Sequence, residues 1–458
     1  MEKTERLAER AAPRDWTKGS IIGNLLSLSW PMMISGSLWT VGQTTDMVWV
    51  GKLGPASIAG VGVAGIAVLM VLSAKLGLTM GARAMVSRMV GAGDIAGANH
   101  AARQAYVISL AYGLIVTAIG ILLPERIIGL FGLQPDVVRE GSSYLRVAAI
   151  GWTSLSFSLM NMAIMQASGD SVAPMKISLT FRLSQVALCP FFVFGWWIFP
   201  RLGVTGAALS QAITDTGGMV TGLWILFSGR TRLHPSLTDF RLDADVVWRM
   251  VKVGLPGLVM GVERNFGSMV LMWIMAPFGT LAVAGHSLIQ RVEQIITMPG
   301  WGLGMGASVI IGQSLGARQP GRAERSGWLA VGIVEGFMLL CALAVLLAAE
   351  YIIRIFSSNP SLVELGAGFL RVAAAGYAVM GFGTVLSNGI SGSGDTIPAM
   401  VVSIVTMWAI LLPLAWGLPK VTDLEVYGVR WAIVINIAVG AAAYVTYFRL
   451  GRWKRKRV

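Results

Sequence analysis

Apolar runs of about 20 residues recur from one end of the chain to the other, separated by short polar stretches. Wound as an α-helix, a run of that length crosses a hydrocarbon core of about 30 Å. The stretch 105–123 is one such run. The pattern predicts twelve spans. The first six lie near 21–50, 56–79, 101–123, 142–167, 175–199 and 205–228, the second six near 250–276, 281–311, 327–349, 366–390, 398–418 and 428–449. No polar stretch is long enough for a soluble domain, and 229–249 is the one clear linker. The expected fold is an all-α polytopic membrane protein with a tail (1–19), an N-lobe (20–228), the linker (229–249), a C-lobe (250–450) and a basic tail (451–458).

The two lobes are one unit written twice. Residues 125–151 and 350–376 align without a gap and share 13 of 27 positions, among them Pro135/Pro360, Arg146/Arg371 and Gly151/Gly376. The same offset of 225 pairs Pro31 with Pro256, Gly54 with Gly279, and Met80-Gly81-Ala82 with Met305-Gly306-Ala307. A repeat this long is a duplicated half-protein rather than a solenoid unit, and in a membrane that plan belongs above all to secondary transporters. Each half holds an even number of spans, so both insert with the same orientation. Two parallel six-helix repeats should then face each other across a central cavity.

Composition supports the membrane reading. Hydrophobic residues make up 55%, mean hydropathy is +0.69 and charged residues are 13%, about half the roughly 25% usual in soluble domains. The net charge of +13 is topology information rather than a nucleic-acid-binding face. With the N-terminus in the cytoplasm, 23 Lys and Arg fall on inside segments and 7, including Arg430, on outside ones. Both termini are therefore expected in the cytoplasm, in a plasma (inner) membrane protein that meets lipid and no nucleic acid. Cys189 and Cys341 lie in apolar runs and support neither a disulfide framework nor a metal site.

Ionisable residues inside spans are costly and are functional candidates by default. Asp46 lies 26 residues beyond Ser20, about 39 Å along a helix and past the midplane. No basic residue lies within one turn of it. It is the first candidate for a coupling carboxylate, the alternative being an interfacial helix-end acid near Lys52. Gln43, one turn earlier, could hydrogen-bond it or touch substrate. Glu263, Arg264, Arg291 and Glu293 form two charged couples in spans seven and eight, expected to meet there as a structural ion-pair network or as part of the relay. Arg182, Asp215 and Glu335 are expected in internal salt bridges, and Lys75 and Arg83 to snorkel to the cytoplasmic surface. Arg146 and Arg371 read as a structural pair common to both lobes. Asn161 and Asn388 miss repeat equivalence by two residues, and either could line the cavity. Pro31 and Pro256 permit bending. The 24 Met and 16 Trp suit a site for varied organic bodies, although each one singly is more simply packing or lipid contact.

Several motifs resemble the multidrug and toxic compound extrusion (MATE) family. The segment 28–54 (LSWPMMISGSLWTVGQTTDMVWVGKLG) is similar to its opening span, with an early proline and a late acid. The segments 80–95 (MGARAMVSRMVGAGDI) and 305–318 (MGASVIIGQSLGAR) resemble its loops after spans two and eight, and QASGDS at 166–171 and SGSGDT at 391–396 its turns after spans four and ten. The resemblance runs from about 20 to 450. It implies a cation-coupled antiporter of bulky, often cationic organic compounds, with a proton or sodium as coupling ion, no cofactor, and sodium a candidate at Asp46. The chain also departs from the pattern. Where some members place an Asn and an Asp in span five, Gln185 and Cys189 stand here. Glu263 is near the acid of the NorM-like branch, with Arg264 beside it. Arg291 and Glu293 look more like the DinF-like branch. Candidate coupling residues are thus Asp46, Glu263 and Glu293, and candidate substrate contacts Gln43, Asn161, Gln185 and Arg291.

The expected function is alternating-access export, by a monomer, of amphipathic and preferentially cationic organic molecules, since Asp46 is the clearest cavity charge. The alternative in the same architecture is a flippase for a lipid-linked saccharide, which calls for a cluster of cavity cations. A membrane-embedded enzyme would need a catalytic constellation, and none is present; the chain has only His100, His234 and His286. A passive channel fits duplicated lobes with buried acids less well.

Overall fold

The structure is a computed structural model that describes residues 15–132, 134–197, 199–229, 231–236 and 240–456, with backbone alone at 39–41, 43, 44, 55 and 56. Twelve long helices carry the described chain. They are α1 (Ile21–Gly51), α2 (Pro55–Gly91), α3 (Ile95–Leu122), α4 (Pro135–Ser168), α5 (Val172–Phe194) and α6 (Val204–Phe227), then α7 (Ala244–Met275), α8 (Thr280–Gly316), α9 (Pro320–Arg354), α10 (Pro360–Gly392), α11 (Thr396–Val421) and α12 (Val426–Leu450). Ten are long and apolar enough to cross a membrane by themselves; α6 and α7 are not. Asp215 and Gln211 dilute α6, while α7 carries Asp245, Arg249, Lys252, Glu263 and Arg264. These two helices depend on partners inside the bundle to hold polar groups away from lipid.

The repeat governs the backbone. The helices α2 and α8 are each 37 residues long and displaced by 225 at both ends. The helices α4 and α10 both start on a proline, Pro135 and Pro360, whose missing N–H costs nothing in a first turn. Each of these is the hub of its lobe. Against α4 pack α2, α3 and α6; against α10 pack α8, α9 and α12. The duplicated arginines do the same job twice. Arg146 reaches Glu125 at 2.5 Å and Arg371 reaches Glu350 at 3.2 Å, each clipping the start of a hub helix to the chain before it.

Helix ends are set locally. Ser20 caps α1 through Gly23 N at 3.3 Å, and Asp94 caps α3 through Gly97 N at 2.7 Å. The linker is shorter than its polar composition suggests, because α7 already starts at Ala244. Asp243 caps it, accepting from Asp245 N at 3.2 Å and Val246 N at 3.1 Å, with His100 at 3.1 Å. The Val246 amide first, then His100, hold this carboxyl below the usual range. In α11, a π-helical turn at Val405–Leu411 interrupts the α-helix. Pro413 offers no N–H to the carbonyl four residues back, and the Leu412 amide reaches Met407 O instead.

The lobes meet along a glycine seam at the end of the bundle that carries both termini. The helix α2 packs on α7 and α8, and α1 on α8. A Cβ on Gly77 would lie 2.0 Å from Leu258 N, one on Gly81 2.0 Å from Met250 O, and one on Gly91 2.0 Å from Gln313 O. Toward the other end, a Cβ on Gly62 or Gly65 of the same helix would meet nothing within 4 Å. The lobes are therefore joined at one end and splayed at the other.

The first and the last described segments, 15–20 and 451–456, strap the joined end. Trp16 donates to Gly169 O at 3.1 Å in the N-lobe, while Arg322 of α9 donates to Trp16 O at 3.2 Å and Lys18 O at 3.0 Å. In the tail, buried Trp453 stacks on Phe448, and Lys454 pairs with Glu324 at 2.6 Å and Lys456 with Asp395 at 3.5 Å. Arg88 of α2 donates to the Lys456 carbonyl, which ties the tail to the N-lobe.

Candidate functional site

In the N-lobe, Asp46 sits on α1 facing α5, buried to 8% exposure. Gln185 Nε2 donates to its Oδ2 at 2.6 Å, the Cys189 thiol of α5 is a second hydrogen-bonding neighbour of the carboxylate, and Oδ1 has no partner among the described residues. Gln185 in turn accepts from Arg182, whose guanidinium also pairs with Asp215 of α6 at 3.4 Å. The result is a row, Asp46–Gln185–Arg182–Asp215, across α1, α5 and α6. The expected Arg182 salt bridge forms, and Asp46 is separated from that cation by a neutral amide. Gly42, one turn before Asp46, lies against the same row: a Cβ there would be in van der Waals contact with the Arg182 side chain at 3.4 Å and with Gln185 Oε1 at 3.5 Å. Beside this row is a pocket of about 70 Å³ lined by Asn161, Arg182 and Asp215, room for an ion and a few waters but not for a drug-sized molecule. Asn161 is occupied at both polar ends, accepting from Tyr106 OH at 2.6 Å and donating to Met219 O at 3.1 Å. The side chain of Gln43 lies outside the described residues.

The C-lobe is arranged differently. A cavity of about 560 Å³ opens among α7, α8, α10, α11 and α12 and is closed on its N-lobe side by α2. That volume falls within the roughly 300–1,000 Å³ of sites that enclose drug-sized ligands. Met80, Met260, Met298, Met305, Met380 and Trp301 supply apolar wall, and Asn265, Gln294, Asn388 and Tyr444 supply polar atoms. The charged lining is Arg83 and Arg264; no Asp or Glu lines it among the described residues.

The charged couples of spans seven and eight do not pair with each other. Glu263 turns to α11, where Ser403 Oγ donates to it at 3.1 Å. Glu293 pairs with Arg430 of α12 at 2.5 Å. Arg291 is exposed and lies outside the cavity lining. Spans seven and eight follow one another in the chain, but in this bundle their charged faces turn toward α11 and α12. Arg430, read from the sequence as an outer-surface charge, is 1% exposed inside the C-lobe. Its second nitrogen lies 3.2 Å from His286 Nδ1, which must accept because a guanidinium has only donors. Glu335 forms no salt bridge among the described residues and accepts from Gly381 N at 3.0 Å.

Lys75 and Arg83 do not snorkel. Lys75 is 1% exposed and donates to Ser109 Oγ at 2.8 Å beside the Tyr112 ring. Arg83 is 6% exposed, donating to Gln166 Oε1 at 3.3 Å and toward the Met305 sulfur. The α2 stripe that bears them faces the bundle, not lipid. The seam glycines Gly77 and Gly81 were the available signal, since they mark the face of α2 that touches protein.

The described residues contain no group of three or more His, Cys, Asp or Glu that could hold a metal ion. The family model described as MatE matches residues 31–191 and again 256–416, two blocks separated by the same 225 positions that relate the lobes. The chain belongs to the MATE family. Members are transporters, not enzymes, and use no cofactor. This MATE protein is 25% identical over 97% of its length to a Bacillus subtilis protein named probable multidrug resistance protein YpnP, of which 98% is covered. It is 23% identical over 95% of its length to a Thermotoga maritima protein named probable multidrug resistance protein NorM, of which 93% is covered. A solved structure described as the outward-facing conformation of a multidrug resistance MATE transporter superposes with a TM-score of 0.90 at 22% identity, covering 96% of this chain and 97% of that one. At that identity, what is shared is the fold.

Proposed function

We propose that this MATE transporter is an alternating-access antiporter that exports amphipathic organic compounds in exchange for a proton or a sodium ion. The observation that carries the reading is Asp46. It is a buried carboxylate whose described hydrogen-bonding neighbours are a neutral amide and a thiol, with Oδ1 unpartnered among the described residues, while the nearby guanidinium is engaged by Asp215. A carboxylate already neutralised by Arg182 would have little use for an external cation; one screened from it by Gln185 can take up and release one. Gln185 therefore belongs to the ion side of the cycle, with Asn161 fixing the pocket wall. Glu263 and Glu293 are given secondary roles, because each is held by a C-lobe partner.

The excess of Lys and Arg on the segments at the joined end argues that this end faces the cytoplasm. The conformation described is then outward-facing. An ion arriving from outside and binding at Asp46 must favour one lobe arrangement over the other by its difference in affinity, and the same linkage lowers the hold on substrate. The protein works as a monomer in the plasma (inner) membrane. The test is dye accumulation in inverted vesicles under imposed proton or sodium gradients, with Asp46→Asn alongside wild type. Gradient-driven uptake lost in the variant supports the reading, and equal uptake in both overturns it.

A further inference from the structure

The 560 Å³ cavity has a polarity opposite to the one its N-lobe acid suggests. Two arginines line it and no carboxylate does among the described residues. Arg83 is the more informative. It sits on the termini half of α2, eight residues before the helix end at Gly91, so it lies deep in the cavity. Its side chain is buried between the lobes, no carboxylate lies within 4 Å of it among the described residues, and its Nε has no partner. An amide oxygen and a thioether are the groups it donates to. A guanidinium offers five donors and remains charged inside a protein. Holding one in a low-dielectric interior without a counter-ion is costly, and the cost falls sharply when an oxyanion arrives.

Arg264 stands higher on the facing wall. It is exposed to the cavity, and its neighbour Glu263, which does not itself line the cavity, accepts from the lining residue Ser403 of α11. The cations lie at two depths, one near the splayed part of the cleft and one deep in it. Between them the wall is methionine, with Trp301, Asn388 and the buried, unpartnered Oδ1 of Asn436. Thioethers adapt to apolar bodies of varied shape.

We propose that this cavity receives amphipathic organic anions: a carboxylate, phosphate or sulfonate seats on Arg83, Arg264 guides it past the wall, and the apolar body lies on the methionines. The proposal names the substrate class of the antiporter proposed above and rests on that reading. It also separates the two charges of the cycle, with the coupling cation on the N-lobe acid and the organic anion on the arginines.

The test is binding, with no gradient, of two xanthene dyes of similar shape and opposite charge to the purified full-length protein: carboxyfluorescein and rhodamine 6G. Carboxyfluorescein should bind more tightly. Arg83→Gln should weaken it by about tenfold or more, as expected for losing a charge-assisted hydrogen bond. Arg83→Lys should weaken it less, and rhodamine 6G should bind Arg83→Gln as well as or better than wild type. Arg264→Gln, at an exposed position, supplies a second variant that packs no buried side chain and should lower the association rate for carboxyfluorescein. Tighter binding of rhodamine 6G by wild type, or unchanged carboxyfluorescein binding in both Gln variants, overturns the proposal. Competition identifies the source of the anion: displacement by dodecyl phosphate supports free amphipathic acids, displacement only by phosphatidic acid in nanodiscs supports a lipid headgroup, and displacement by neither overturns the site. Because no gradient is applied, anion binding without gradient-driven transport would sink the antiport reading and leave this one standing, and transport of cations alone would do the reverse.

Discussion

Position 46 of the N-lobe is a buried aspartate; 225 residues on, the C-lobe has Leu271. In the other direction, Glu293 and His286 of the C-lobe correspond to Val68 and Val61, and Arg83 of α2 corresponds to Ser308 of α8. Yet Pro31 and Pro256, Glu125 and Glu350, Arg146 and Arg371, and Gly91 and Gly316 are kept in register. What the repeat retains is whatever fixes helix ends, clips and close approach. What it discards is every charged group at a lobe's centre. The N-lobe has a pocket of about 70 Å³ lined by the Arg182–Asp215 pair that neighbours Asp46, the C-lobe a cavity of about 560 Å³ whose charged lining is Arg264 with Arg83 of α2. A duplicated frame has been given two different interiors.

The comparison breaks most readily at Asp46. Asp46→Asn should abolish gradient-driven transport while the protein still elutes as a folded species, and near-normal transport would return the coupling role to the C-lobe acids. Next in size is the Glu293–Arg430 pair. Glu293→Gln strands a guanidinium that is 1% exposed, with a cost of about 3–5 kcal/mol. The double change Glu293→Val with Arg430→Leu should cost less than either single one, since the N-lobe already tolerates Val68 at the equivalent of Glu293. Thermal unfolding of the four proteins in one detergent reads this, and additive losses would show that the two charges do not interact.

A third, conformational effect sharpens the contrast between the two ends of α2. Gly77→Ala places a Cβ 2.0 Å from the Leu258 amide, whereas Gly62→Ala meets nothing within 4 Å. Only the first should wedge the seam and draw the splayed ends together. Spin labels at positions 52 and 278, in a background without Cys189 and Cys341, should show a shorter distance for Gly77→Ala alone. The smallest effect is expected at the paired clips. Arg146 and Arg371 have side chains about half exposed, at 49% and 50%, so changing either to Gln should cost no more than about 1 kcal/mol. The two losses should match each other, and a large difference would mean the lobes do not share this element.

The fold was legible because it rests on periodic features: apolar runs, an offset of 225, prolines and glycines at element ends. The site was legible only in part. Asp46 stands out because an acid far along an apolar helix is unusual, but its partner Gln185 lies 139 residues away. Arg430 was misplaced because it is only four residues past the start of α12, where a surface location is the simplest reading. A long side chain at a helix end can point into the lobe as readily as out of it, and rotation of that helix about its axis is set by packing that no single segment encodes. The same holds for Glu263 and Glu293, whose partners on α11 and α12 lie 140 and 137 residues ahead.

The tail has a consequence for how the molecule comes into being. Through the Lys456 carbonyl this segment binds Arg88, on a helix made 368 residues earlier, while Lys454 and Lys456 bind Glu324 and Asp395 of the C-lobe. All twelve long helices precede it in the chain, so they can be in the membrane before this strap exists. Locking the joined end is thus a late act of biogenesis. A variant without the segment 453–456 would keep every span and rock on a loosened hinge. A label attached within the segment would load the same strap, so transport rates measured with it should be read beside those of the same protein labelled elsewhere.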